Sequence, residues 1–230
     1  MDDNEPRKGA GIRAGSQFRF FTRTTLPLLT GNYAVNLDQL LKGITLSDDS
    51  IIYYHTHHYL IQHHYLTPSA PNDFAYWINF RLGESSLAEE ISAIDIFDYN
   101  SLGEYKAKLI NVISNFIKYG KGKRKTRETE INERFNFMKA ITFAMDTGKS
   151  AFTLQEFHDI LKTTSIFSFY YHYFEAHFRI NIKTSNDFSM WIRNELKIPE
   201  LAKKISNLDP YTITMDNLKL NIIKLVEGYL

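Results

Sequence analysis

The chain has 230 residues, 43% of them hydrophobic and 14% aromatic, enough to bury one large core or two small ones and too apolar for wholesale disorder. Its 27 basic and 26 acidic side chains leave a formal charge of +1, so the overall balance demands neither nucleic acid, nor an anionic membrane, nor an acidic substrate. Without cysteine there is no disulfide, thiolate metal site or cysteine nucleophile, and with no apolar run near the ~20 residues of a membrane span and no signal-like opening, a soluble cytoplasmic chain is expected.

Residues 1–17, with Gly9, Gly11 and Gly15 and almost no large apolar side chain, read as a disordered N-terminal arm. FRFF at 18–21 alternates aromatic side chains over too few positions for more than a short strand. Asn36 stands where a helix cap is wanted, ahead of Leu37, Leu40, Leu41 and Ile44 at three- and four-residue spacing. A longer helix rich in Tyr, His and Phe is expected from about Ser50 to Leu66. A third follows, capped by Asn72, with Asp73 in its first turn and Phe74, Trp77 and Ile78 on one face. LAEEISAI forms a short fourth helix and the stretch ending near Phe116 a fifth. Six basic residues and no acid then lie between Lys118 and Arg127, inside a basic linker running from 118 to 134.

Beyond the linker the same signals return. At an offset of 117, Phe18, Phe20, Thr30, Gly31, Ala34, Tyr53, Tyr54 and His55 meet Phe135, Phe137, Thr147, Gly148, Ala151, Tyr170, Tyr171 and His172. At an offset of 114, NDFAYWI at 72–78 meets NDFSMWI at 186–192, and 11 of the 24 positions from Asn72 to Asp95 are identical, far above the one or two of unrelated sequences. The pattern predicts a mainly α protein of two pseudo-symmetric helical repeats, 18–117 and 135–230, of about five helices each, with room for a short strand opening each repeat. Trp77 and Trp191 are the expected core anchors, and Thr30-Gly31 and Thr147-Gly148 the expected positive-φ turns.

The succession FRFFT, TG-x-x-A, S-I-x-Y-Y-H, NDFAYW and LAEEI resembles a prokaryotic family of uncharacterised proteins, DUF5752, with its most specific parts at Ser50–His55 and Asn72–Trp77. The resemblance spans nearly the whole of each repeat. It implies no established activity, and it implies an association with trehalose and sugar metabolism.

Three groups of polar residues are candidates for function. His55, His58 and Gln62 share one helical face, and His172, Glu175 and Arg179 fall at the aligned places. His55, His58, His172 and Glu175 together would supply four nitrogen and oxygen ligands to a divalent metal, as helical bundles do. The simpler reading has each histidine half-buried beside its tyrosines and hydrogen-bonded locally. Asp73 and Asp187 could serve as paired carboxylates, although first-turn capping accounts for them equally well. Lys118, Lys121, Lys123, Arg124, Lys125 and Arg127 could follow a phosphate backbone of RNA, with a steeply salt-dependent affinity. There is no G-x-S-x-G, H-E-x-x-H or Walker pattern.

The sequence therefore favours a non-catalytic binding or regulatory protein with a groove between two helical repeats for an unknown small molecule or protein. No cofactor is expected on that reading. The alternatives are a metal-dependent enzyme or accessory protein of sugar metabolism of the trehalose type, and an RNA- or ribosome-associated protein docking through residues 118–127. No membrane partner is expected.

Overall fold

The structure, a computed structural model, describes Gly9 and residues 11–62, 70–119, 127–176, 185–208 and 213–230. Two long strands, β1 (Arg13–Ala34) and β2 (Phe135–Thr153), pair as a two-stranded antiparallel sheet. Between them run α1 (Leu37–Leu46), α2 (Asp49–Tyr53), a π-helical turn (Tyr54–His58), α3 (Tyr59–Gln62), α4 (Asp73–Trp77) continued by a second π-helical turn (Ile78–Leu82), α5 (Ser85–Ser92) and α6 (Leu102–Tyr119). After β2 come α7 (Leu154–Thr163), α8 (Ile166–Tyr173), α9 (Asp187–Asn194), α10 (Pro199–Ser206) and α11 (Met215–Glu227). Among the described residues no helix is long and apolar enough to cross a membrane.

The chain divides into two compact units that interleave in sequence. The first joins the segment ending at Thr24 to Phe143–Leu230, and the second joins Thr25–His63 to Pro68–Thr142. In the first unit, Phe18 and Phe20 of β1 are buried among Phe157, Phe188 and Trp191, with the Phe18 ring 5.4 Å from Phe157 and 5.6 Å from Trp191. In the second, Phe135 and Phe137 of β2 fill the equivalent role against Gly43 of α1, His55 and α4, with Phe135 stacked 5.3 Å from Phe74. Aromatic pairs at these separations add roughly 0.5–1.5 kcal/mol each beyond the area they bury.

Several local features follow from single residues. Asn36 accepts the N–H of Gln39 and Asn72 that of Ala75, satisfying donors that the first turns of α1 and α4 would otherwise leave open. Thr153 and Glu156 close a capping box at the start of α7, and Asn186 and Ser189 do so at α9. Gly31 and Gly148 do take positive φ, at 83° and 73°, but inside the strands. There the preceding threonine hydroxyl donates across the ladder, Thr30 to the Phe137 carbonyl at 2.7 Å and Thr147 to the Phe20 carbonyl at 2.6 Å. The same hydroxyls accept the N–H two residues on, from Asn32 and Lys149, so a local twist is absorbed without orphaning the backbone, as at a β-bulge.

The expectation of a mainly α chain built from two successive helical repeats is overturned on two counts. The strands are 22 and 19 residues long, not short openings, and each compact unit draws strand residues from both halves of the sequence. The physical reason lies in the burial pattern. Only the first part of each strand is covered by helices and alternates inward aromatics with outward polar residues. The later parts, including Leu26, Leu28 and Leu29 on β1 and Phe143 and Met145 on β2, are exposed, so no period of two survives to announce them. Pro27 is tolerated there because a two-stranded sheet consists only of edges. The strand also begins at Arg13, inside the stretch expected to be an arm, and Gly9 donates to the Tyr229 carbonyl at 3.1 Å.

Candidate functional site

The two histidines singled out by the sequence sit in matching environments, one in each unit. Both are buried, each 2% exposed. His55 Nδ1 lies 2.7 Å from an Asp73 carboxylate oxygen, and His172 Nδ1 lies 2.6 Å from that of Asp187. On the other side of each ring, His55 Nε2 accepts the backbone N–H of Met138 at 2.9 Å, and His172 Nε2 accepts that of Phe21 at 2.8 Å. A backbone N–H can only donate, so Nε2 must offer a lone pair. The proton then resides on Nδ1, where the carboxylate receives it. Geometry alone fixes the tautomer.

The carboxylates are set by the helix caps. Asn72 and Asn186 adopt extended backbone and cap α4 and α9, which places Asp73 and Asp187 at the first helical position, where the helix dipole favours negative charge. Capping and histidine pairing are thus one device: the Asn stops the chain and the Asp behind it receives the imidazole. The Asp73 charge also reaches two phenols. Burial first and Asp73 second push Tyr59 up to about 12, and the same two causes raise Tyr54, opposed by a hydrogen bond from Gln62.

In the first unit the arrangement is extended. Ser168 Oγ donates to the Phe21 carbonyl at 2.6 Å, four residues before His172 accepts the Phe21 N–H, so one turn of α8 satisfies both backbone groups of one strand residue. Two side chains thereby take the place of a neighbouring strand along the free edge of β1. Ser168, His172 and Asp187 are the residue types of a nucleophilic triad, yet serine and histidine are both spent on Phe21 rather than on each other. Next to them Arg23 forms an ion pair with the buried Glu175.

The remaining expected site residues fall as follows. His58 is buried with its ring 4.9 Å from Tyr54, and Gln62 is exposed at the end of α3. Glu175 is held by Arg23, and Arg179 lies outside the described residues. Among the described residues no group of three or more His, Asp or Glu side chains is placed to hold a metal. Of the basic run, Lys118 ends α6 over the Tyr119 ring, and Arg127 donates to the Leu82 and Gly83 carbonyls, capping the helix that ends there. Lys121, Lys123, Arg124 and Lys125 lie outside the described residues. The stretch after them is tied down: Thr129 donates to the Val35 carbonyl at 2.8 Å and Glu128 receives the Asn36 amide at 3.0 Å.

Sequence reasoning missed the backbone partners Met138 and Phe21, the Arg23–Glu175 pair and the buried His158. His158 places Nδ1 3.1 Å from Asp159 and Nε2 3.0 Å from Glu227, bridging α7 to α11. It also missed a cleft of about 340 Å³ in the second unit, lined by Asn32, Tyr33, Gln39, Lys42, Leu46 and Phe137 among others. Gly43, a poor helix former in the middle of an amphipathic helix, was the one visible sign of it. The Phe137 ring occupies the place its side chain would take.

Comparison with known proteins agrees on the fold and supplies no activity. The solved structure of OrfY from Thermoproteus tenax is similar, with 28% sequence identity, a TM-score of 0.75, and coverage of 94% of this chain and 96% of that one. No curated protein matches the sequence. Residues 15–227 match the family described as a family of unknown function, DUF5752, and with nearly the whole chain so covered, the protein belongs to that family.

Proposed function

We propose that the protein is a non-catalytic binding or regulatory protein in which the two Asp–His pairs are structural clasps. The observation that carries this reading is the fate of the Nε2 atoms. A general base or a metal ligand needs that lone pair, and in both units it is committed to a backbone N–H of a strand. Each clasp is a charge-assisted hydrogen bond followed by a neutral one, and together they contribute about 2–4 kcal/mol in a buried setting. What they hold is the strand: His55 fixes Met138, beside the buried Phe137, and His172 fixes Phe21, beside the buried Phe20.

Nitrogen-15 NMR of the imidazoles tests this directly. Both rings are expected in the Nδ1–H form, with shifts unchanged by stoichiometric zinc, manganese or magnesium. Metal uptake that moves either Nε2 resonance, or hydrolysis of model ester, phosphate or glycoside substrates that is lost in His55→Gln or His172→Gln while the fold persists, would overturn the reading.

A further inference from the structure

Helices α7, α8 and α9 form a socket that grips β1 through backbone groups and two rings. The Trp191 indole donates to the Ser16 carbonyl at 2.9 Å, Phe18 and Phe20 fill the aromatic pocket, and His172 and Ser168 take the N–H and the carbonyl of Phe21. The second unit grips β2 in the same way: Trp77 donates to the Glu133 carbonyl at 2.7 Å, Phe135 and Phe137 are buried, and His55 accepts the Met138 N–H. In both, the gripped carbonyl stands two residues before the first Phe and the gripped N–H one residue after the second.

Two ion pairs then decide which strand the first socket takes. Arg19 pairs with Asp146, and Arg23 with the buried Glu175. Segment 133–140 has Asn136 and Ala140 at the matching places, so it would satisfy the rings and the backbone groups but offer neither cation. The occupant that meets every part of the socket is residues 16–23 of this sequence. Nothing in the socket distinguishes its own copy of that segment from another chain's.

The segment is also placed so that it can leave. It lies in the N-terminal part of the first unit, which ends at Thr24, and the chain enters the second unit at Thr25. Directly after that crossing comes Leu26-Pro27-Leu28-Leu29, with its leucines 52%, 39% and 64% exposed and a proline that has no N–H to give to a ladder. Single exposed leucines are ordinary, whereas three within four residues form an apolar patch, and this one sits where the chain passes between units. Two chains that trade the segment cross in opposite directions, so residues 24–29 of one run along those of the other. The three leucines then gain a cover that one chain alone does not supply.

We propose that the α7–α8–α9 socket is an interface for a second copy of this chain: two copies exchange residues 16–23 reciprocally, the His172 clasp closes on Phe21 of the other copy, and Leu26, Leu28 and Leu29 pack hinge against hinge. The proposal rests on the reading of His172 as a clasp for strand backbone, and it names the partner of that site. The docked contacts are the same within a chain and between chains, so protein concentration and the hinge set the balance between monomer and dimer.

The chain has no cysteine, so single introduced thiols report where the segment docks. Full-length Arg19→Cys and Asp146→Cys variants, one of them tagged, are mixed, unfolded in urea and refolded together over a roughly hundredfold range of concentration, then treated with a short bismaleimide. Joint refolding removes any kinetic block to exchange. Light scattering should show a dimer whose share rises with concentration, and cross-links joining tagged to untagged chains should appear in the dimer fraction alone. Leu29→Ser, a change at the exposed hinge, should weaken dimerisation at least about tenfold, whereas Leu220→Ser, at a leucine 50% exposed on α11, should leave it within about twofold. A protein that stays monomeric at every concentration would overturn the proposal. So would a dimer without cross-links between chains, or equal effects of the two leucine changes. Failure of exchange leaves the clasp standing inside one chain, while metal uptake that moves the His172 Nε2 resonance would overturn the clasp reading in monomer and dimer alike.

Discussion

Replacing Gly43 with alanine sets two effects of opposite sign against each other. Gly43 lies inside α1, where alanine is favoured over glycine by about 1 kcal/mol through lower backbone entropy in the unfolded chain. Against this, the new methyl would stand 2.1, 2.3 and 3.0 Å from three atoms of the Phe137 ring, where carbon atoms normally keep about 3.5–4.0 Å. The ring is 1% exposed and hemmed in by Phe135, so it cannot swing into solvent. Helix and strand must separate by more than an ångström, and overpacking of this kind costs about 1–3 kcal/mol or somewhat more. The expected balance is a net loss of about 1–2 kcal/mol, read as a lower urea midpoint with unchanged slope. Phe137→Leu removes the clashing ring edge, so the double variant should be more stable than the sum of the two single losses by at least about 1 kcal/mol. A Gly43→Ala protein more stable than wild type, or strict additivity in the double variant, would refute the packing argument.

His55→Ala or His172→Ala should each lower stability by about 2–4 kcal/mol, because a backbone N–H and a carboxylate both lose their partner, and hydrogen exchange should accelerate first at Met138 or Phe21. Trp77→Ala and Trp191→Ala should cost about 3–5 kcal/mol in denaturant titrations, since both indoles are buried and donate to backbone carbonyls of Glu133 and Ser16. Asp48 is held at about 2, well below its usual 3.8, chiefly by the Ser50 hydroxyl and also by Lys139 and the Ile51 N–H. Its folded value is depressed, so its contribution is complete above about pH 4 and disappears as pH falls toward 2; Asp48→Asn should flatten that part of a melting-temperature profile.

The helices were legible and the strands were not, for one reason. A cap or an amphipathic stripe is written within a few residues: Asn36 and Asn72 cap where the sequence places caps, Thr153 and Asn186 cap at the aligned places, and Trp77 and Trp191 are buried as their spacing implies. The strands owe their length to each other. Residues 26–33 and 143–149 are mostly exposed, and the stabilising partner of each lies more than a hundred residues away. The histidines were visible as identical residues after a Tyr-Tyr pair, and Asp73 and Asp187 as helix openings, but nothing in the sequence joins them. The connection becomes apparent only when the 18- and 15-residue separations close to hydrogen-bond distance. The third partner of each clasp is a backbone amide, which carries no side-chain signature at all.

The interleaving of the two units also imposes an order on synthesis. The unit made of Thr25–His63 and Pro68–Thr142 is complete once residue 142 has been made, with Phe135 and Phe137 arriving last to fill its core. The N-terminal strand has no such early partner. Phe18 and Phe20 are made early relative to their partners: Trp191, against which Phe18 packs, follows 173 residues after Phe18. At translation speeds of about 5–20 residues per second, that edge waits roughly 10–30 s before it can be covered. The nascent chain therefore carries an aromatic strand in need of protection for that interval, and its neighbours Arg19 and Arg23, whose carboxylate partners Asp146 and Glu175 are themselves made late, keep it charged throughout.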